Sequence, residues 1–177
     1  MRAVFVGLAA AAALGCATAG SSSQSTGELR DVAHNENGQM LRTTPDYAIT
    51  GSVSRPVDEA YAGMLLAYQK LGIEAAINDP VNHHVGNTAV NVLHRWNGED
   101  LSRFFECGRD AFQTPRADQD RITFSVVTTL GAAGTADTKV ETLVTARGTD
   151  PGANGSTVYC STTGHLEALL LKLANQQ

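Results

Sequence analysis

Cysteine and histidine are the residues in this sequence whose chemistry can be catalytic. Cys160 precedes a predicted helix, and His165 follows Cys160 in the chain. A thiol at a helix N-terminus beside an imidazole is an activated nucleophile. Their spacing is poor for two side chains that must meet on a helix, and no oxyanion-hole motif flanks Cys160. A thiol-dependent enzyme using Cys160 and His165 is therefore one alternative, and no catalytic residue is assigned.

The same cysteine has a structural interpretation. The chain contains 3 cysteines, Cys16, Cys107 and Cys160, and loss or modification of Cys16 leaves an even pair in the folded part. An even pair in an exported protein predicts a disulfide bond. We expect Cys107 and Cys160 to be linked, which would close a long loop and hold the last helix in place.

Histidines suggest a metal site only weakly. His83 and His84 are adjacent, and neighbouring side chains on a strand point to opposite faces, so the two cannot chelate one ion together. A composite site with His34, His94 or His165 remains open, but a solvated loop explains the pair better. His94 alternates with apolar residues, which predicts a buried, hydrogen-bonded histidine in the core. No metal ligand is assigned.

A hydrophobic-ligand site is the second functional alternative. A long helix facing a sheet can leave an apolar space between the two, with tyrosine and tryptophan tips to orient a bound molecule. Core packing is the default interpretation of such residues. If the space is open, its predicted lining is Tyr61, Met64, Tyr68, Trp96 and Phe124.

Sequence motifs for phosphate, dinucleotide, zinc-protease or serine-hydrolase chemistry are absent from the chain. The glycine-rich stretch GANGST has neither the lysine nor the following helix that a phosphate-binding loop requires, so it is a loop. The sequence therefore predicts no cofactor and favours a non-enzymatic protein.

Hydrophobic periodicity supplies the elements that must position these residues. Residues 46–54 alternate as a first strand. A helix begins after Pro56 and ends at Gly72, with Asp58 and Glu59 in its first turn, where the helix dipole favours acids. Residues 73–77 form a short strand that the cluster Asn78-Asp79-Pro80 breaks, and residues 85–96 form the next strand.

The second half is predicted as follows. Leu101, Phe104 and Phe105 lie on a short helix that ends at Gly108, with Cys107 in its last turn. Residues 121–130 and 138–147 form a β-hairpin. A short strand at Val158 leads into Cys160, and a final helix follows, capped by Thr162 or Thr163.

This order, β-α-β-β-short α-β-β-α, predicts an α+β fold in which helices pack on one face of an antiparallel sheet. The layout resembles helix-grip-like two-layer sandwiches. It is also similar to the compact domains of some outer-membrane assembly accessory lipoproteins, a resemblance that rests on topology and implies no activity.

Charge and length narrow the class of protein. The 177 residues include 42% hydrophobic and 18% charged residues, and the net charge is −5. Such a composition predicts one globular domain with appendages. An acidic chain with scattered arginines is unsuited to neutralising phosphates, so nucleic acid is an unexpected partner.

An export signal occupies the N-terminus. Arg2 precedes an uncharged run from Ala3 to Leu14, which is too short to span a bilayer and is typical of a secretory signal peptide. Two cleavage sites overlap, Ala17-Thr18-Ala19 for general signal peptidase and Ala13-Leu14-Gly15-Cys16. The latter resembles the lipobox of bacterial envelope lipoproteins, although Ala13 stands where that family usually has Leu, Val or Ile.

The lipobox resemblance implies that Cys16 becomes the first mature residue and carries diacylglyceryl and N-acyl chains, which would anchor the protein without a transmembrane helix. We therefore expect a signal peptide (1–15), a lipidated N-terminus with a flexible tether (16–44) and an α+β domain (45–177). The predicted function is that of a non-enzymatic, lipid-anchored cell-envelope protein, periplasmic or associated with the outer membrane. Its expected partners are the membrane, through the lipid, and other envelope proteins.

Overall fold

The computed structural model describes residues 48–152 and 155–177, together with the short segments 33–34 and 40–41. The predicted signal peptide, the lipobox and Cys16 lie outside the described residues, as does most of the predicted tether. The two short segments pair as antiparallel strands β1 (Ala33–His34) and β2 (Met40–Leu41).

The described part of the domain is an α+β unit in which every strand pair is antiparallel, as predicted. Along the chain, the elements are β3 (Ile49–Val53), α1 (Val57–Lys70), β4 (Ile77–Asp79), β5 (His84–Leu93), β6 (Arg95–Trp96), β7 (Glu99–Asp100), β8 (Phe105–Glu106), β9 (Arg121–Ala132), β10 (Thr138–Thr149), β11 (Thr157–Thr162) and α2 (His165–Asn175). The sheet order is β7-β6-β5-β9-β10-β11-β8, with β4 beside β5 and β3 beside β10.

Helix α1 begins and ends where the sequence predicts. Pro56 precedes its first residue, and Gly72 follows its last turn with a left-handed φ of 69°, a backbone conformation that glycine adopts without strain. The residues at helical spacing on its inner face, Met64 and Tyr68 among them, are buried. Burial of this apolar face is what stabilises a helix of this length.

The hairpin of β9 and β10 forms the centre of the sheet, and its prediction is confirmed. The two strands pair over their full length, from Arg121 opposite Thr149 to Ala132 opposite Thr138. Alternate residues are buried on one face, while the residues between them are partly exposed on the other. The sheet therefore has an inner face that packs on the core and an outer face that contacts solvent.

Both helices cover the inner face. The Tyr68 hydroxyl of α1 lies 2.9 Å from Thr128 Oγ1 of β9. Helix α2 packs beside β3, where its Leu171 side chain occupies the space that a side chain at Gly51 would need. Gly51 interrupts the strand pattern in the sequence, and a side chain there would require the Leu171 side chain of α2 to move.

The predicted short helix over residues 101–107 is wrong. Only Leu101–Arg103 forms a 3-10 turn, and the chain then enters strand β8, where Phe105 pairs with Thr162 of β11. The apolar residues of this segment are buried in either conformation, so their spacing did not distinguish helix from strand. The deciding partner, β11, lies more than fifty residues along the chain.

The region around His94 also differs from the prediction. Strand 85–96 is interrupted at His94, whose φ of 61° places it in the left-handed region, and β6 folds back so that Arg95 pairs with Leu93. His94 is exposed rather than buried, and its Nδ1 lies 2.9 Å from the Asp118 carbonyl oxygen. The turn rotates this side chain out of the alternation that predicted burial.

The short strand predicted over residues 73–77 lies further along the chain: β4 begins at Ile77 and includes Asn78 and Asp79, where a break was predicted. The turn comes after Asp79, whose carboxylate accepts hydrogen bonds from the backbone amides of Val81 and Asn82. The Asn82 side-chain amide also donates to this carboxylate, and this hydrogen bond, followed by those from the backbone amides, favours the charged form and lowers the pKa of Asp79.

Candidate functional site

The two cysteines of the domain form a disulfide bond, as predicted. Both are buried. Their setting differs from the prediction, because Cys160 lies inside β11 opposite Ala146 rather than at the start of a helix, and Cys107 follows β8 rather than ending a helix. The bond therefore links segments that the β8–β11 pairing already brings together.

His165 lies among groups other than Cys160. Its ring packs on Phe104, with the centroids 5.0 Å apart, and its Nε2 lies 3.3 Å from Glu99 Oε2. The same carboxylate oxygen lies 2.8 Å from Arg103 Nε. The nucleophile hypothesis requires a free thiol at Cys160. In this structure the Cys160 sulfur is bonded to Cys107.

The adjacent histidines are separated by a turn rather than by the alternation of one strand. His83 has a φ of 52° in the turn before β5, and its Nε2 lies 2.9 Å from Asp58 Oδ1 of α1. His84 begins β5. Among the residues that the structure describes, no three His, Cys, Asp or Glu side chains come together as a set of metal ligands.

The five residues predicted to line an apolar pocket lie in or against the core. Four of them are buried and Trp96 is partly buried, and the indole packs 5.4 Å from the Phe124 ring. The Tyr61 hydroxyl donates to Asn78 Oδ1 at 2.7 Å, and burial raises the pKa of Tyr68. A ligand between α1 and the sheet would have to displace these contacts.

The outer face of the sheet carries a groove that no pattern in the sequence predicts. It has a volume of about 260 Å³ and crosses β5, β9, β10 and β11. Its lining comprises four threonine and serine residues, one tyrosine, one arginine and two core residues: Thr88, Thr123, Phe124, Ser125, Thr145, Ala146, Arg147 and Tyr159. Such a lining provides hydrogen-bonding groups and one positive charge.

A β-bulge in β5 shapes one wall of this groove. The register shifts between Asn87 and Val90, so that Thr88 and Ala89 together stand opposite Ser125. Asn87 fixes the bulge, because its Oδ1 accepts from the Ala89 amide at 2.9 Å. A bulge of this kind bends the strand and redirects a side chain. Here Thr88 joins the groove lining.

Arg147 and Tyr159 form the opposite wall. They are directly paired across β10 and β11, and Tyr159 is 78% exposed. A large aromatic side chain so exposed on a strand is unusual. The available signal was the alternation of β10 and β11, which places Arg147 and Tyr159 away from the buried Ala146 and Cys160.

Glu167 is the buried acid nearest the disulfide in sequence. It is 3% exposed, and its Oε2 accepts from Thr162 Oγ1 at 2.9 Å. Its other oxygen, Oε1, has no hydrogen-bond partner among the described residues. Burial is the main cause that raises the pKa of Glu167, so the folded state binds its proton more tightly than the unfolded chain does.

This shift gives stability a defined pH dependence. Because the folded-state pKa is raised, the contribution of Glu167 is fully present below its unfolded pKa and is lost as pH rises through the folded pKa. We expect E167Q to gain about 1 kcal/mol over the native protein at neutral pH and to lose that advantage in acid. Chemical denaturation at a series of pH values measures the free energy of unfolding of both proteins.

Curves of this free energy against pH that run parallel for the native protein and E167Q would contradict the assignment. The control is E74Q, which removes an exposed carboxylate.

The fold and the groove define an α+β domain with a solvent-facing polar site. Searches with protein-family models, among curated proteins and among solved structures found nothing that matches this chain. Within the described ranges, the chain has no helix of the length and apolar character needed to cross a membrane.

Proposed function

We propose that this protein is an exported, lipid-anchored module of a bacterial cell envelope that acts by binding other envelope components rather than by catalysis. The observation that carries the proposal is the buried Cys107–Cys160 disulfide. Disulfides persist in oxidising compartments outside the cytoplasm, which agrees with an export signal at residues 1–15.

The lipid anchor is supported by Gly15-Cys16 at the end of the apolar run. Buried acyl chains contribute about 0.8 kcal/mol per CH2, and more than one chain gives stable anchoring. The net charge of −5 provides no attraction to anionic headgroups, so the lipid itself has to hold the protein at the membrane. Cys16 is the proposed attachment point.

The helix-grip-like layout is part of the proposal. Its support is the packing of α1 and α2 against each other and against the same side of the sheet. In this arrangement the helices are committed to the core, which leaves the outer face of the sheet for partners.

Peptide mass mapping under non-reducing conditions tests the proposal. The full chain is expressed in a lipoprotein-processing bacterium and recovered from membranes, and C16S is the matched control. We expect an acylated peptide beginning at Cys16 and a linked Cys107–Cys160 peptide, with C16S moving to the soluble fraction. A mature chain that begins at Gly20, or free thiols at both domain cysteines, would overturn it.

A further inference from the structure

We propose that the groove on the outer face binds a sugar ring that carries a carboxylate, as part of an acidic glycan. The inference deepens the proposed binding role and rests on it, but it does not depend on the lipid at Cys16. Its basis is the combination of an exposed aromatic ring, a row of hydroxyls and an arginine in one groove.

Tyr159 provides the apolar contact. Its side chain is 78% exposed and stands beside the groove rather than in the core. The flat face of a tyrosine ring packs on the C–H groups of a pyranose, and its hydroxyl is free to bond a polar substituent. The groove volume of about 260 Å³ is just below the roughly 300–1,000 Å³ of pockets for drug-sized ligands. The groove is therefore of a size for one sugar ring rather than for a longer glycan segment.

Hydroxyl side chains provide the polar contacts. Thr88, Ser125 and Thr145 are exposed or partly exposed, and all three line the groove. Thr123 donates to Asn91 Oδ1 at 2.8 Å, which leaves its lone pairs to accept a hydrogen bond from a ligand. Hydroxyls both donate and accept, so they match the alternating donors and acceptors of a sugar.

Arg147 selects for negative charge. Arg121 lies on the same outer face, diagonal to Arg147 across the β9–β10 pair. In the described part of the chain, neither guanidinium lies within 4 Å of a carboxylate. Two unpaired arginines side by side in a protein of net charge −5 are a local positive patch. An arginine fork binds a carboxylate through paired hydrogen bonds, which a neutral sugar cannot use.

Calorimetric titration of the purified full chain with two disaccharides tests the inference. The acidic probe is N-acetylglucosaminyl-N-acetylmuramic acid, and the neutral probe is di-N-acetylchitobiose. We expect the acidic probe to bind about tenfold more tightly, which is the value of one hydrogen bond to a charged group. R147Q should abolish that difference, and Y159A should weaken both probes. K172Q, which removes an exposed charge from α2 in the helical layer, should bind as the native protein does.

Three results with the two disaccharides would overturn the inference: equal affinity for both probes, no heat with either probe at millimolar concentration, and unchanged selectivity in R147Q. An acidic peptide that binds as tightly as the acidic disaccharide would assign the groove to a carboxylate without a sugar, and would also overturn it. Arg147 and Tyr159 are exposed, so the variants retain the fold, and a thermal melt checks this. A negative result in the disaccharide titration does not affect the test of acylation at Cys16, so the failure of one proposal can be distinguished from the failure of the other.

Discussion

Replacing Cys107 and Cys160 together with alanine is expected to lower the free energy of unfolding by about 4 kcal/mol. The disulfide joins residues separated by 53 positions, and the chain-entropy model gives about this value for a loop of that length. Small domains have a total stability of roughly 5–15 kcal/mol. Urea denaturation of the oxidised protein and of the double variant measures the difference.

Reductant provides the internal control for this prediction. Dithiothreitol should destabilise the native protein toward the level of the double variant and leave the double variant unchanged. The variant C16S should retain the full stability, because Cys16 lies outside the disulfide. A loss of less than about 1 kcal/mol in the double variant would mean that the β8–β11 pairing holds the closed loop without the covalent bond.

Replacing Phe124 with alanine is expected to cost about 3–5 kcal/mol. Its side chain is 1% exposed, and its ring contacts those of Phe105 and Trp96 at centroid distances of 5.1 and 5.4 Å. Truncating a buried aromatic loses its transfer free energy and leaves a cavity that the surrounding rings only partly fill. Chemical denaturation measures the loss.

The neighbouring variant S125A is the matched control. Ser125 lies on the same strand but faces the groove, so its truncation should change stability by no more than about 0.5 kcal/mol. A loss below about 1 kcal/mol for F124A would show that the ring lines an open cavity. That result would favour the carrier of a hydrophobic ligand over a packed core.

Local patterns explain which parts of the fold the sequence predicts well. Helix α1 carries its own start, stop and apolar face, and the β9–β10 hairpin carries strict alternation on both sides of one loop. Each of these elements carries its periodicity and its end signals within one continuous stretch of sequence, so the local pattern reports its final structure even though α1 buries its apolar face on distant strands.

The errors occur where a distant partner decides the conformation. Phe105 lies in a strand because Thr162 pairs with it, and His94 is exposed because β6 folds back on β5. Thr162 lies outside any local window around Phe105. At His94 the turn itself is local, and the partner that the window misses is the Asp118 carbonyl oxygen, which lies 2.9 Å from His94 Nδ1. The apolar residues proposed as a pocket were recognised as a group, but whether they enclose space or fill it depends on how α1 packs on the sheet.

The candidate site also depends on contacts between strands rather than on a local sequence pattern. The types of its residues are ordinary threonines, a serine, an arginine and a tyrosine, and no spacing connects Thr88 to Tyr159. Strand register places them together, with a bulge at Asn87 that turns Thr88 toward the groove. A site assembled from four strands, with three residues each from β9 and β10 and one each from β5 and β11, leaves no single motif in the chain.

By itself, the sequence determined the α+β class, the central hairpin, helix α1 and the pairing of Cys107 with Cys160, because each follows from local periodicity or from residue counting. The tertiary structure alone decided the β8–β11 pairing, the exposure of His94 and the groove on the outer face. Those features depend on contacts between segments far apart in the chain, and their free energy is shared among residues that carry no pattern individually.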